Sequence, residues 1–355
     1  MQTHRDLPRF DATIILQAQV AAPVHVGAGS QGNIAKLWRS ETLLHNPDAP
    51  PAHRWRKARI PGIPGRSLRG VLRDLAMSRY CDLLGIRSES RDWLRLLFKG
   101  GKLDKSGSGI NLELMRWLRE HCPPLALFGC MDNAGSLPGL LQVGDLLAWT
   151  EEGVGAGQQP RELRVRDLDG ETVHPIFPDL DPVPLAMTTG EETGYRRDLL
   201  QSGAVHRLAD SEREAIDQAA AAAKAAKQEG KGLAKEERRE ANESMPWTCE
   251  TIVAGVPLLG QLKVNGITEI EYACLALTLI DWAGKGCPVG GKTASGFGKL
   301  TLRSVPAIRL DLARGALHAE GRLVPDGLPG TAEINAYKAW LESRRDPILA
   351  WMAGQ

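Results

Sequence analysis

The sequence predicts an α+β fold, on three observations. Thr13 to Val20 reads as a strand. Leu68, Val71, Leu72, Leu75 and Ala76 recur at helical spacing. Glu269 to Trp282 repeats that spacing with Ile270, Ala273, Cys274, Leu277 and Ile280, and Ser295 to Leu302 then carries two glycines and an alternating run. The late order is therefore helix, loop, strand.

Between these anchors the elements follow from punctuation and periodicity. After the first strand comes a glycine turn, then an irregular stretch to Ile63. Ser67 is a good N-cap for the first helix. Residues 82–125 read as helical and hold two basic loops, Lys99-Gly100-Gly101-Lys102 and Lys105-Ser106-Gly107-Ser108-Gly109. Leu127 to Trp149 reads as turn, then strand, and residues 150–206 are loop-rich. Residues 208–244 change composition sharply: Ala219 to Lys227 is a strong helix former, and Gly230 and Gly232 split the segment into two helices. Such a segment is either an arm that reaches a partner or a solvated helical insertion. Strand, helix and strand return from Val253 to Leu302, and the tail after Pro306 ends in a helix from about Ala332 to Trp351.

Bulk properties narrow the function classes. A chain of 355 residues with 43% hydrophobic content buries a substantial core, in one large or two modest domains. The formal charge of +1 excludes a global polycation, so a nucleic-acid role needs local clustering. The six cysteines form no C-x-x-C and no zinc spacing with histidine, which reads as reduced thiols in a cytoplasmic protein. Ile14 to Val26 is interrupted by Gln17, Gln19 and Pro23, so it is neither a signal peptide nor a membrane span.

Two phosphate signatures occur as strings. Gly286-Cys287-Pro288-Val289-Gly290-Gly291-Lys292-Thr293 spells a P-loop, and Gly27, Gly29 and Gly32 spell G-x-G-x-x-G. A P-loop needs a strand that delivers a glycine turn onto a helix N-terminus. Here the order is reversed, and Arg309 interrupts the only later Walker B candidate. The first signature follows a strand already broken at Ala21-Ala22-Pro23, with no amphipathic helix behind it. Both read as glycine turns.

The densest charge is at His53 to Arg73, which holds Arg54, Arg56, Lys57, Arg59, Arg66, Arg69 and Arg73 with no acid before Asp74. Arg69 and Arg73 are spaced i, i+4 and should project together with Arg66, away from Leu68, Leu72 and Leu75. Three guanidiniums beside free helix N-terminal N–H groups make a candidate phosphate site.

A family pattern assembles on these segments. Pro23-Val24-His25-Val26-Gly27-Ala28-Gly29 resembles the glycine turn after strand one in the RAMP superfamily of CRISPR-associated proteins. Ile63 to Arg73 resembles its Pro-Gly helix start with a following Leu-Arg-Gly. Leu127-Phe128-Gly129 with Leu141-Gln142-Val143-Gly144-Asp145, and Gly290 to Leu300, resemble its central segment and its terminal glycine-rich loop. Four motifs occur in the family's order.

The resemblance implies a ferredoxin-like, RRM-type palm core over residues 1–305, with a helical insertion at about 82–125 and a thumb-like arm at about 185–255. A C-terminal extension, 306–355, follows. It implies a backbone subunit that coats guide crRNA with further copies of itself in a helical filament, joins other effector subunits, and presents the guide to target DNA or RNA, with no membrane and no cofactor. Type III backbone subunits cut RNA with an aspartate in the loop before the Pro-Gly motif. If Leu43-Leu44-His45-Asn46-Pro47 matches that loop, the aspartate position falls on Ser40, with Glu41 one residue out of register. That implies a subunit with no catalytic and no metal-binding residues, of the type IV kind. The expected RNA contacts are His25, Gly27, Lys36, Arg39, Arg66, Ser67, Arg69, Arg73, Gly291, Lys292, Thr293, Ser295, Gly296, Phe297 and Lys299. Three other activities stay open: type III metal-dependent cleavage through Glu41 or Asp48, guide processing with His25 as general base, and a P-loop ATPase using Lys292.

Overall fold

The computed structural model describes residues 7–31, 34–45, 50, 54–87, 91–101, 112–132, 135–156, 159, 164–166, 173–175, 180–195, 214, 218, 246–291, 293, 296–302, 307–311, 316–320 and 331–353. The chain divides into two units. The first comprises residues 1–26, 38–189 and 252–355; the second comprises residues 27–37 and 190–251.

The strands in chain order begin with β1 (Phe10–Ala22), β2 (Gly27–Gln31), β3 (Ile34–Leu37), β4 (Arg39–His45), β5 (Trp55–Ile63), β6 (Cys130–Asp132), β7 (Gly135–Leu137), β8 (Leu141–Val143) and β9 (Leu146–Ala148). They continue with β10 (Arg164–Arg166), β11 (Val173–Pro175), β12 (Thr189–Tyr195), β13 (Pro246–Ile252), β14 (Pro257–Ile267), β15 (Lys299–Leu302), β16 (Ala307–Asp311) and β17 (Ala316–Glu320). The helices are α1 (Gly65–Leu84), α2 (Arg91–Leu94, continued by a π-turn at Arg95–Lys99), α3 (Leu112–His121), α4 (Pro123–Phe128), α5 (Glu151–Gly155), α6 (Glu269–Gly284) and α7 (Thr331–Ala353).

The first unit is built on a sheet in the order β17–β16–β1–β14–β9–β5–β4, with β15 also on β1 and β8 also on β14. The run β15–β1–β14–β9 is antiparallel throughout. With α1 before β9 and α6 between β14 and β15, that is the ferredoxin-like arrangement. In β1, Phe10, Ala12, Ile14, Leu16, Ala18 and Val20 are all buried, as period-2 alternation demands. Leu68, Leu72, Ala76, Met77 and Tyr80 of α1 meet the nearly all-buried helix α6 on the helical layer. Each such leucine contributes about 1.5–3 kcal/mol by leaving water. Thr268 and Glu271 form a capping box at the start of α6. The helix expected at Glu269 to Trp282 runs Glu269–Gly284, and the loop leads into β15 as expected.

Two regions differ from expectation. The stretch before Ile63, expected to be irregular, holds β2 to β5. Cations at the exposed positions of β5 hide its pairing with β4 from a hydrophobicity pattern. The tail also does more than end in a helix. β16 pairs with Phe10 to Ile14 of β1, and α7 packs on α1 and α6 through Ile334, Tyr337, Leu341, Ile348 and Met352.

The second unit carries the four-stranded sheet β12–β13–β3–β2, in which β3 and β13 run parallel. Of the expected helical segment 208–244, only residues 214 and 218 are described, and both are helical. All six cysteines are free and buried. Among the described residues no helix is long and apolar enough to cross a membrane.

Candidate nucleic-acid interface

The glycine loop between α6 and β15 is tied to the end of β1. Gly291 N–H donates to the His25 carbonyl at 3.0 Å, and Gly298 N–H to the Pro23 carbonyl at 2.8 Å. Val289 N–H donates to the Gly298 carbonyl at 2.9 Å, and Gly296 N–H to the Thr293 carbonyl at 3.0 Å. Amides that a P-loop would aim at phosphate are spent on main-chain carbonyls, so the Gly286 to Thr293 string is not a nucleotide cradle. Gly298 explains part of the glycine content. Its φ is +70°, and a Cβ there would lie 2.0 Å from the Val289 carbonyl oxygen. Close backbone approach is thus required by the protein's own loop closure. Gly291 and Gly296 differ, because both are exposed and face open space. Thr293 and Lys299 are exposed beside them, with Phe297 half-buried. Lys292 and Ser295 lie outside the described residues. Cys287 is buried, which pushes its thiol up to about 12 and leaves it unreactive.

The arginines of α1 separate into two groups. Arg66 is exposed, and no described residue pairs with it. Arg69, expected to face phosphate, donates to the Phe128 carbonyl. Arg73 donates through Nε to the Leu97 carbonyl at 2.9 Å, and through its terminal nitrogens to Gly129 at 2.8 Å and Leu96 at 3.1 Å. These carbonyls belong to the last turn of α4 and to the π-turn after α2. A helix end leaves such oxygens without partners, and a guanidinium satisfies several at once. Burial lowers the Arg73 pKa from its ordinary value. Arg69 and Arg73 do project together, as expected, but into the protein.

The helix start is also closed from within. Pro64, not Ser67, holds the N-cap position. Ser67 N–H donates to the Pro64 carbonyl at 2.8 Å, and Gly65 N–H donates to Asp145 Oδ1 at 2.8 Å. Asp145 thus supplies the negative group that a helix N-terminus favours. Sequence reasoning singled out Asp145 only as part of a motif; its capping role needed the fold.

Strand registers place these elements along the sheet. Gly144 N–H bonds Gln261, which pairs with Ile15. The start of α1, packed on Gly144, is therefore level with Ile15. The glycine loop leads into β15, whose Leu300 pairs with Val20, five residues further along β1 (20 − 15).

A different element reaches the loop's end of the sheet. Gly62 pairs with Leu147, Leu147 with Leu259, and Leu259 with Gln17. Arg59 lies three residues before Gly62, and Val20 three residues after Gln17, so β5 brings Arg59 level with Val20, and with Leu300 of β15, and carries Trp55 further in that direction. The β4–β5 hairpin and the glycine loop therefore share one end of the palm sheet. Arg54, Trp55, Arg56, Lys57 and Arg59 are all exposed there. Trp38 N–H bonds the Val26 carbonyl at 2.8 Å, and the adjacent Arg39 pairs with Pro61, two residues from Arg59. The charge run gave the cations of this set in sequence; the level they occupy came only from register.

Three expected contacts have other surroundings. The His25 ring is buried, at 7% exposure, which places it poorly for general-base work on a bound strand. In the second unit, Lys36 Nζ pairs with Glu250 Oε1 at 2.8 Å, and Gly27 opens the exposed strand β2. Ser40 sits in β4 opposite Ile60. Glu41 accepts from Lys57 Nζ at 2.7 Å and from Arg59 Nε and a terminal nitrogen at 3.1 and 2.9 Å. Hydrogen bonds from Lys57 and then Arg59 lower its pKa. A carboxylate whose pKa is lowered in this way is a poor base. Asp48 lies outside the described residues.

The family model of the RAMP superfamily matches residues 18–301. The chain belongs to that superfamily. A solved structure titled "Type IV-B CRISPR Complex" is similar over 90% of this chain and 94% of that chain, at 20% identity and a TM-score of 0.41. No curated protein matches it.

Proposed function

We propose that this chain is a non-catalytic backbone subunit of a CRISPR effector ribonucleoprotein, of the type IV kind, that packs with further copies of itself along guide crRNA and presents the guide to target DNA or RNA. The observation that carries the reading is the convergence of exposed cations and an open glycine loop at one end of a RAMP palm sheet. Arg56, Lys57 and Arg59 supply phosphate partners there, with Arg39 beside them. Gly291, Thr293, Gly296 and Lys299, with the neighbouring Lys292 and Ser295, supply donors and close approach. Arg66 is a further exposed contact at the start of α1. Binding of this kind is independent of sequence, because phosphates and 2′-hydroxyls do not vary with the guide.

The non-catalytic part of the reading is supported by Ser40, which takes the aspartate's position if Leu43 to Pro47 matches the loop of RNA-cutting relatives, and by the lowered pKa of Glu41. The test is the ultraviolet absorbance ratio of the protein purified from cells that express its guide, followed by sizing of the extracted nucleic acid. Guide-length RNA is the expected result. Protein free of nucleic acid at every salt concentration contradicts the binding reading. Metal-dependent cuts at regular spacing in a paired target RNA contradict the non-catalytic one.

A further inference from the structure

The outward face of the β4–β5 hairpin carries more than charge. Register pairs His45 with Trp55, Leu43 with Lys57 and Glu41 with Arg59, and directly paired residues point to the same side. One face therefore presents Trp55, Leu43, Lys57 and Arg59. Trp55 is 59% exposed and Leu43 53%, which is unusual for large apolar groups on a strand. The opposite face is partly buried through Leu44 and Ile60, which fixes which side looks out. β4 ends the sheet order, so no described strand covers its far edge.

We propose that this face is a stacking platform for unpaired nucleobases, with Trp55 as the stacking surface and Lys57 and Arg59 as partners of the adjoining phosphates. The proposal deepens the guide-coating reading and rests on it for the polynucleotide nature of the ligand. It adds that bases, and not only the sugar-phosphate chain, are held here. Trp55, Lys57 and Arg59 recur at every second position, about 7 Å apart, so one aromatic and two cations line up along a single direction. That combination of a ring and a cationic track is how single strands are bound without sequence preference. Charge complementarity favours a polyanion over a protein partner: on this face Lys57 and Arg59 share one paired acid, Glu41, and Arg54 and Arg56 add exposed positive charge along the same strand. Ion pairs as exposed as these add little stability, so Glu41 releases both cations to phosphate readily.

The test is fluorescence anisotropy of the full chain with short labelled probes in three arms: oligouridylate, oligothymidylate, and an abasic oligodeoxynucleotide of equal length and charge. The wild type should bind both base-bearing probes more tightly than the abasic one. Trp55→Ala should lose roughly 5- to 100-fold on the base-bearing probes and change little on the abasic probe, with Trp55→Phe retaining most of the affinity. Lys57→Ala with Arg59→Ala should weaken all three arms and lower the salt slope by about 1.4. Glu41→Gln should tighten all three. A tighter uridylate than thymidylate arm assigns the platform to RNA, the reverse to DNA. If the charge variants weaken binding but Trp55→Ala does not, the platform is overturned while the guide-coating reading stands. If no variant matters in any arm, both fall. If Trp55→Ala leaves affinity unchanged and shifts the sedimentation coefficient instead, the face is a protein contact and the platform is overturned. Trp55→Phe and circular dichroism separate these results from misfolding.

Discussion

Arg66 and Arg73 stand seven residues apart on one helix, hence on nearly the same face, yet their surroundings are opposite. Nothing described pairs with Arg66. Arg73 is surrounded by the carbonyls of Leu96, Leu97 and Gly129, and Arg69 by that of Phe128. The same charge on the same face therefore closes two helix ends in one place and stays available to a ligand in the other. What decides is which later segments fold over the helix, here residues 91–99 and 123–129. Two carboxylates repeat the contrast. Glu271 is 2% exposed and its pKa is raised by burial, whereas Glu41 is exposed and its pKa is lowered by Lys57 and Arg59.

The sharpest way to break this comparison is Arg73→Ala. Three main-chain acceptors would lose charged donors, so stability should fall by about 2–3 kcal/mol in urea unfolding, with oligonucleotide affinity per folded molecule unchanged. Unaltered stability with weakened binding would put Arg73 in the outward group. Gly298→Ala forces a Cβ against the Val289 carbonyl at positive φ, and should cost about 1–3 kcal/mol while loosening the loop that holds Gly291. Its readout is the same unfolding curve together with probe affinity.

The Glu271 effect is smaller and depends on pH. Its folded pKa is above the ordinary 4.5, so the native state holds the proton more tightly than the unfolded chain does. The stability contributed by the neutral form is present below pH 4.5 and is lost as pH rises through the folded pKa. Glu271→Gln keeps the acceptor of the capping box and should flatten that decline in urea midpoints measured across pH. An unchanged decline would assign it to another group. Arg66→Ala should alter stability least, by no more than about 0.5 kcal/mol, while lowering the salt slope of binding by about 0.7.

Legibility followed the range of the interactions. β1, α6, the loop into β15 and α7 could be read because their periodicity is local and their apolar faces are clean. The inverted P-loop was legible for the same reason: element order alone disqualified it. β4 and β5 were not, because the exposed positions of Trp55 to Arg59 hold cations and an aromatic, and their pairing is a property of two segments at once. Nor was the direction of Arg69 and Arg73. Helical spacing tells which residues share a face, but not that α4 ends against that face. The joint between the glycine loop and β1 links Gly291 to His25 across most of the chain, and no local pattern encodes it.

The most direct measurement is the slope of log affinity against log salt for one single-stranded probe, compared between Lys57→Ala/Arg59→Ala and Arg69→Ala/Arg73→Ala. The account predicts that the first pair lowers the slope by about 1.4 with stability nearly intact, and that the second leaves the slope of the folded fraction unchanged while reducing stability. A slope that falls for Arg69 and Arg73 but holds for Lys57 and Arg59 would contradict it.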